Sequence, residues 1–340
     1  MTRKDARKER KRRRKLFLAL IMILLLLATL GTATYAWFTA NRTVTVESID
    51  VNVSTSQGLQ ISTDATNWKS IVTNNDINTA NWSGVLNQLP SGTNTMAPVS
   101  TIGTVNSNGY MEMWKGTVES NAATGNNTLI ASQSVETGGD DKNKGDFVVF
   151  DLFFQSSQAQ TVYLTSNSSV VAKGTDKGIQ NAARVAFIRE GSVEYGATPE
   201  QAQALKGEES KLIWEPNYDT HTASGISNAS DVYGITSIAS SGSSKLAYKG
   251  VKAEITKANE QPLGNSDNTT YFGDVTTVGS LATGIPTTAY INAFDVAEGI
   301  TKVRIYMWIE GQDVDCEDHA SGSALTYNLQ FSIDRNATGA

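Results

Sequence analysis

Leu325, Tyr327, Leu329, Phe331 and Ile333 alternate strictly with Thr326, Asn328, Gln330, Ser332 and Asp334. Successive side chains of a strand point to opposite faces, so this period of two specifies a strand with one buried and one wet face. A second alternation precedes it, in which Val303, Ile305, Met307 and Ile309 interleave with Lys302, Arg304, Tyr306 and Trp308. The intervening residues 311 to 323 are polar and contain glycine, a connection long enough for either a hairpin or a crossing between sheets. Both strands are expected in one sandwich.

Other strands are predicted at Phe147 to Phe154, Thr161 to Thr165, Ala183 to Arg189, Lys211 to Trp214, Leu246 to Ile255 and Ala289 to Val296. The first is apolar on both faces apart from Asp151 and is expected to be central. Asn, Gly and Ser clusters at 121 to 127, 138 to 145 and 240 to 244 read as loops. One short helix is predicted, with Thr198 as N-cap, Pro199 in the first turn and Gln201 closing a capping box. The fold class is therefore all-β, an elaborated β-sandwich with long loops. Residues 37 to 340 form its domain, and 206 to 284 read as an insertion or lobe.

The N-terminus obeys a different pattern. Ten Lys or Arg residues precede Leu16, and an apolar run of fifteen residues follows to Leu30. A basic head before a run of this length is the layout of an export signal, and a relaxed membrane span needs about twenty residues. Thr34-Tyr35-Ala36 places a small residue before Trp37, so cleavage is expected between Ala36 and Trp37, making residues 1 to 36 a signal helix. Left uncut, Leu16 to Phe38 would anchor the chain in a membrane. Removing the ten basic and two acidic residues of this segment from the chain's 28 and 34 leaves 18 and 32, a net charge of −14. Such acidity excludes nucleic acid as a partner and suits a secreted, extracellular or surface-held protein. Cys316 is the single cysteine, so no internal disulfide is available, and it reads as a small buried apolar residue.

Catalytic motifs are sparse. The histidines are His221 and His319, without a His-Glu-x-x-His pair, a Gly-x-Ser-x-Gly elbow or a phosphate-cradling glycine loop. We expect no enzyme and no cofactor. The clustered carboxylates are Glu310, Asp313, Asp315, Glu317 and Asp318. Of these, Asp313, Asp315, Glu317 and Asp318 can wrap a hard cation such as calcium, or simply form a solvated acidic loop. Trp68, Trp82, Trp114 and Trp214 sit in polar neighbourhoods, where they serve either a sugar-binding face or core packing.

After the cleavage site, Val44 and Val46 set one alternating phase, and Ile49, Val51 and Val53 set the other. The phase slips near Glu47 and Ser48, which predicts a bulge or bend. A β-forming stretch at a free N-terminus either pairs within its own domain or is donated to the sheet of another subunit.

Gly31-Thr32-Ala33-Thr34-Tyr35-Ala36-Trp37-Phe38, the Thr/Val strand after it, and the closing block from Trp308-Ile309-Glu310-Gly311 to Phe331 resemble the TasA/camelysin family of secreted biofilm-matrix and cell-surface proteins. The resemblance implies a jelly-roll sandwich, processing by a dedicated signal peptidase at Ala36 and Trp37, and fibres in which Trp37 to Val53 completes the sheet of the next subunit. Some family members have been classed as metallopeptidases, but no zinc site is recognisable here. The expected function is a structural subunit that self-associates into filaments, with other matrix or cell-wall components as further partners. The competing expectation is a monomeric, membrane-anchored adhesin or carbohydrate-binding protein.

Overall fold

The C-terminal alternation forms a strand, as its period requires, and the alternation before it forms a strand of the facing sheet. The computed structural model describes residues 37, 43–53, 58–91, 95–120, 127–137, 141–232, 235, 246–264, 267–279 and 291–333. The apolar run from Leu16 and the residue Ala36 lie outside them. Among the described residues, no helix is long and apolar enough to cross a membrane.

The first strands are β1 (Thr45–Val53), β2 (Gln60–Ser62), β3 (Ile71–Thr73), β4 (Val99–Ser100), β5 (Met113–Ser120) and β6 (Asn127–Ser134). They are followed by β7 (Val148–Ser156), β8 (Gln160–Leu164), β9 (Ser169–Lys173), β10 (Ala183–Val193), β11 (Ser210–Glu215) and β12 (Lys249–Val251). The last are β13 (Gln261–Pro262), β14 (Phe272–Asp274), β15 (Val278–Gly279), β16 (Ile291–Val296), β17 (Gly299–Ile309) and β18 (Ala324–Ser332). One sheet runs β16-β8-β18-β1-β3, with β9 also on β18, and the other runs β15-β11-β10-β17-β7-β2. The strands β13-β6-β5-β4 make a third, smaller sheet, and β12 pairs with β14.

The main core lies between the two larger sheets. Val303, Ile305, Met307 and Ile309 of β17 and Phe150, Leu152 and Phe154 of β7 meet Leu325, Tyr327, Leu329 and Phe331 of β18 and Ile49, Val51 and Val53 of β1. Phe154, Phe294 and Phe331 form an edge-on aromatic cluster with centroids 4.8 to 5.6 Å apart, a geometry that aromatic quadrupoles favour. The all-β sandwich is thus present, and the connection from β17 to β18 crosses between sheets.

The structure departs from the sequence reading at several points. The predicted short helix is there as Pro199–Gln203, with its Thr198 and Gln201 capping box, but Asn74–Thr79 and Ala223–Asp231 are helical as well. The segment 206 to 284 is no separate lobe at its ends, because β11 and β15 are strands of the main sheet. Of Leu246 to Ile255, only Lys249–Val251 is a strand. Phe147 to Phe154 is buried throughout, but β7 lies one strand from the edge, and β10 and β17 hold the centre.

The alternation of β17 also means something other than one wet face, because all eleven of its residues are buried. Its second face is covered by the third sheet, where Met111, Met113 and Val99 pack against Trp308 and Tyr306. On that face Arg304 and Lys302 meet carboxylates, with Lys302 lying beneath Trp82 and donating to the carbonyls of Gln203 and Leu205. Arg304 binds Asp151, its register partner on β7, at 2.6 Å, and also Glu136, while Lys302 sits 2.8 Å from Glu190 and 3.4 Å from Asp151. Burial pushes the Asp151 carboxyl up, but Arg304 and Lys302 outweigh it and hold it below the usual range. Glu190 goes the other way, to about 7, through burial and the Asp151 charge beside it.

Breaking a buried ion network from one side strands the remaining charges. Arg304→Ala therefore costs about 3–5 kcal/mol, read as a lower urea midpoint at an unchanged slope. A midpoint equal to that of the parent chain would show that this layer does not hold the sheets.

Candidate assembly site

Of the expected donated segment Trp37 to Val53, residues 38–42 lie outside the described residues, while β1 (Thr45–Val53) and the assembly positions Val44, Val46, Ile49, Val51 and Val53 are described. Val44, Ile49 and Val51 are fully buried, Val53 nearly so, and Val46 is half-buried against the same core. The phase slip read from the sequence is real, since the register against β18 shifts between Val46 and Ser48. β1 runs parallel to β18 from Thr45 opposite Ala324 to Val53 opposite Phe331. On its other side β3 covers Asp50 to Asn52. The N-terminal strand is thus an interior strand of its own domain's sheet.

The residue at the expected cleavage point is anchored separately. The Trp37 indole is buried among Val118, Leu129, Ala131, Val251, Ile255 and Phe272. Its Nε1 donates to Gln312 Oε1 at 3.0 Å. Two glycines make the room: a Cβ on Gly116 would lie 2.7 Å from the ring, and one on Gly311 still closer. The Trp37 backbone is left-handed, at φ 75°, a conformation that bulky residues rarely adopt. Its N–H is directed at the Cys316 thiol, which burial raises, the Asp313, Glu310 and Glu317 carboxylates reinforcing the effect.

That places the acidic loop beside the N-terminal segment, and it is not a solvated loop. Glu310, Asp313, Asp315 and Glu317 are all buried, and only Asp318 is half-exposed at a turn. Asp313 accepts from Arg184 at 2.5 Å, and Arg184 also reaches Glu215 at 2.9 Å. Asp315 takes His221 Nδ1 at 2.7 Å and both the N–H and the hydroxyl of Thr222 at 2.8 Å. Glu317 accepts a long bond from the Thr222 hydroxyl at 3.4 Å. Glu310 accepts from the Trp308 indole at 3.1 Å and from the Gln312 N–H at 3.0 Å.

Protein donors thus face the oxygens that a cation would need. Among the described residues, no group of three or more His, Cys, Asp or Glu side chains is arranged to hold a metal ion. The calcium expectation for Asp313, Asp315, Glu317 and Asp318 gains no geometric support. Burial lifts Glu310 to about 7 against the bonds from Ser100, Gln312 and Trp308. Burial also lifts Asp313 to about 6, although Arg184 pulls the other way.

Of the four tryptophans considered for sugar binding, Trp214 is buried and Trp68, Trp82 and Trp114 are half-buried. Trp214 is buried in the main core, Trp114 packs with the Trp37 cluster, and Trp68 and Trp82 pack around Phe153. Sequence reasoning missed Gly116 and Gln312 and the part Gly311 plays in the socket, while Cys316 is buried as its reading as a small apolar residue expected. Glycines flanking a buried ring leave only a weak trace in sequence. Comparison with protein-family models, with curated proteins and with solved structures finds no match to this chain.

Two outcomes follow from this geometry. Gly311→Ala puts a methyl into the Trp37 ring and is expected to unseat it, seen as faster proteolysis of the segment before β1 while the body of the sandwich survives. Glu310 and Asp313 have folded pKa values above their unfolded ones, so they contribute stability below about pH 4 that is lost as pH rises through about 6 to 7. The protein should therefore become less stable from pH 5 to pH 8. Glu310→Gln should remove on the order of 3 kcal/mol of that slope; an unchanged urea-unfolding profile against pH would rule out a strained carboxyl at this position.

Proposed function

We propose that this chain is a secreted structural subunit of an extracellular or cell-surface fibre, assembled by β-strand addition of the segment Trp37 to Val53. On this reading the sandwich winds as a jelly roll, a dedicated signal peptidase cuts after Ala36, and further matrix or cell-wall components bind the assembled fibre. The observation that carries it is the position of β1. A strand at the start of the processed chain lies inside a sheet, parallel to the C-terminal strand, with Ile49, Val51 and Val53 fixing its register.

If β1 leaves, it opens a slot between β18 and β3 that fits an identical strand from another copy. The exchanged contacts are the same in number and kind, so the equilibrium is set by linker strain and concentration. Main-chain hydrogen bonds to β18 supply affinity, and the buried side chains supply register. The competing reading, a monomeric anchored adhesin, draws on the fact that β1 already completes its own sheet. Burial removes Trp214 from any glycan platform, while Trp68, Trp82 and Trp114 keep partly exposed rings.

Asp50 and Asn328 are register partners with half-exposed side chains, so Asp50→Cys with Asn328→Cys reports where β1 sits. Oxidised before assembly, the double variant should stay monomeric and form filaments only after reduction. Oxidised after assembly, it should run as a ladder of covalent oligomers on a denaturing gel. A filament whose oxidised chains all run as monomers would refute strand exchange.

A further inference from the structure

Three strands of the second sheet bring an amine and two carboxyls together at one buried point. Arg304 sits opposite Asp151 in the register of β17 and β7, so Lys302, two residues away on the same face of β17, meets Asp151 on the diagonal. The Lys302 Nζ lies 3.4 Å from Asp151 Oδ2 and 2.8 Å from Glu190 Oε2. Glu190 comes from β10, where the register against β17 shifts between Arg189 and Gly191. It is the extra residue of a bulge, a device that re-aims a side chain and recurs beside reactive sites. Lys302, Asp151 and Glu190 are all buried.

The two carboxyls are held differently. Arg304 Nη1 donates to Asp151 Oδ1 at 2.6 Å, which polarises that carboxyl and leaves Oδ2 on the side of Lys302. Glu190 has no guanidinium on it, and burial with the Asp151 charge lifts it to about 7, so it is a stronger base than an ordinary carboxylate. The carbonyls of Leu205 and Gln203 accept from Lys302 at 2.8 and 3.3 Å, and the Trp82 ring covers the nitrogen, so the amine is fixed beside its neighbours. A cavity lined by Trp82, Tyr110 and these charged residues adjoins the point of contact and gives a small product a way out. An amine, an activated carboxyl and a proton carrier held in this way are the parts of an amide-forming site.

We propose that Lys302 and Asp151 join in an isopeptide bond that the folded chain forms by itself, with Glu190 carrying the proton. Glu190 takes a proton from the Lys302 ammonium, and the freed nitrogen lone pair attacks Asp151 Cγ while the carbonyl electron pair moves to Oδ1, against Arg304. That pair then returns as the bond from Cγ to Oδ2 breaks. Oδ2 leaves as water with the proton held by Glu190 and one from the attacking nitrogen. The nitrogen loses two protons, Oδ2 gains two, and Glu190 ends as it began. One positive and one negative charge disappear together, which removes the desolvation cost of a buried ion pair. The bond would staple β7 to β17 in a chain whose single cysteine can make no internal disulfide. It is independent of strand exchange, since none of the three residues lies on β1.

The test is the intact mass of the purified, folded chain, which should be lower by one water than its sequence requires. Trypsin should no longer cut after Lys302, and the digest should contain a peptide in which the residues around Asp151 are joined to those around Lys302. On a denaturing gel after boiling, the parent chain should run ahead of Lys302→Arg, because its closed loop stays compact. Lys302→Arg keeps a cation beside both carboxyls but offers no amine to acylate, so it should have the full sequence mass. Glu190→Gln should also keep the full mass, although Lys302 and Asp151 are both still present; a joined pair in that variant would remove Glu190 from the mechanism. A parent chain at full sequence mass overturns the proposal. So does a loss of water that persists in Lys302→Arg, or a bond mapped from Lys302 to Glu190. The mass and digest of the parent chain decide the matter even where a variant fails to fold.

Discussion

The double burial of β17 is the constraint on which the rest of the structure depends. A strand in a two-layer sandwich needs one apolar face, and its other face meets water. β17 instead has sheets on both sides, so the alternate positions Lys302 and Arg304 must be satisfied inside the protein. Desolvating such charges is tolerable only with partners of opposite sign in good geometry. Asp151 from β7, Glu190 from β10 and Glu136 supply them. This face is closed over by the third sheet at Tyr306 and Trp308 and by Trp82 with the helix Pro199–Gln203 at Lys302, and the carboxylates delivered by separate elements make that closure possible.

The same logic recurs at the end of β17, with a different balance. Arg184 answers Glu215 and Asp313, while His221 and Thr222 answer Asp315. A chain with more acidic than basic residues can keep most of its negative charge in water at little cost. Burying Glu310 and Asp313 is costly, which is why both sit well above ordinary carboxyl values.

Much of the fold was legible from alternation. The strands at 325–333, 303–309, 183–189 and 211–214 were readable because a period of two is imposed directly by the strand backbone, and the slip at Glu47 and Ser48 emerged as a register shift for the same reason. The capping box at Thr198 was readable because its hydrogen bonds are local. The burial of the second face of β17 was not, since Lys and Arg at alternate positions look the same whether water or a carboxylate from 150 residues away meets them. The acidic loop misled for the same reason. Its carboxylates suggested a cation or solvent, whereas Arg184, His221 and Thr222, distant in sequence, had taken those oxygens.

The assembly site combines a legible part with an illegible one, and that division bears on how it works. The hydrophobic phase of β1 is local information and specifies a strand that fits a slot of one register, whoever owns the slot. The socket for Trp37 is non-local, formed by Gly116, Gly311 and Gln312 from separate parts of the chain, and it exists only once the sandwich has folded. A segment whose pattern is complete in itself, next to an anchor that appears only on a finished body, favours a fixed order of events. Under the proposed strand exchange, the body folds first and the N-terminal segment docks last, free either to return to its own sheet or to enter that of a neighbour.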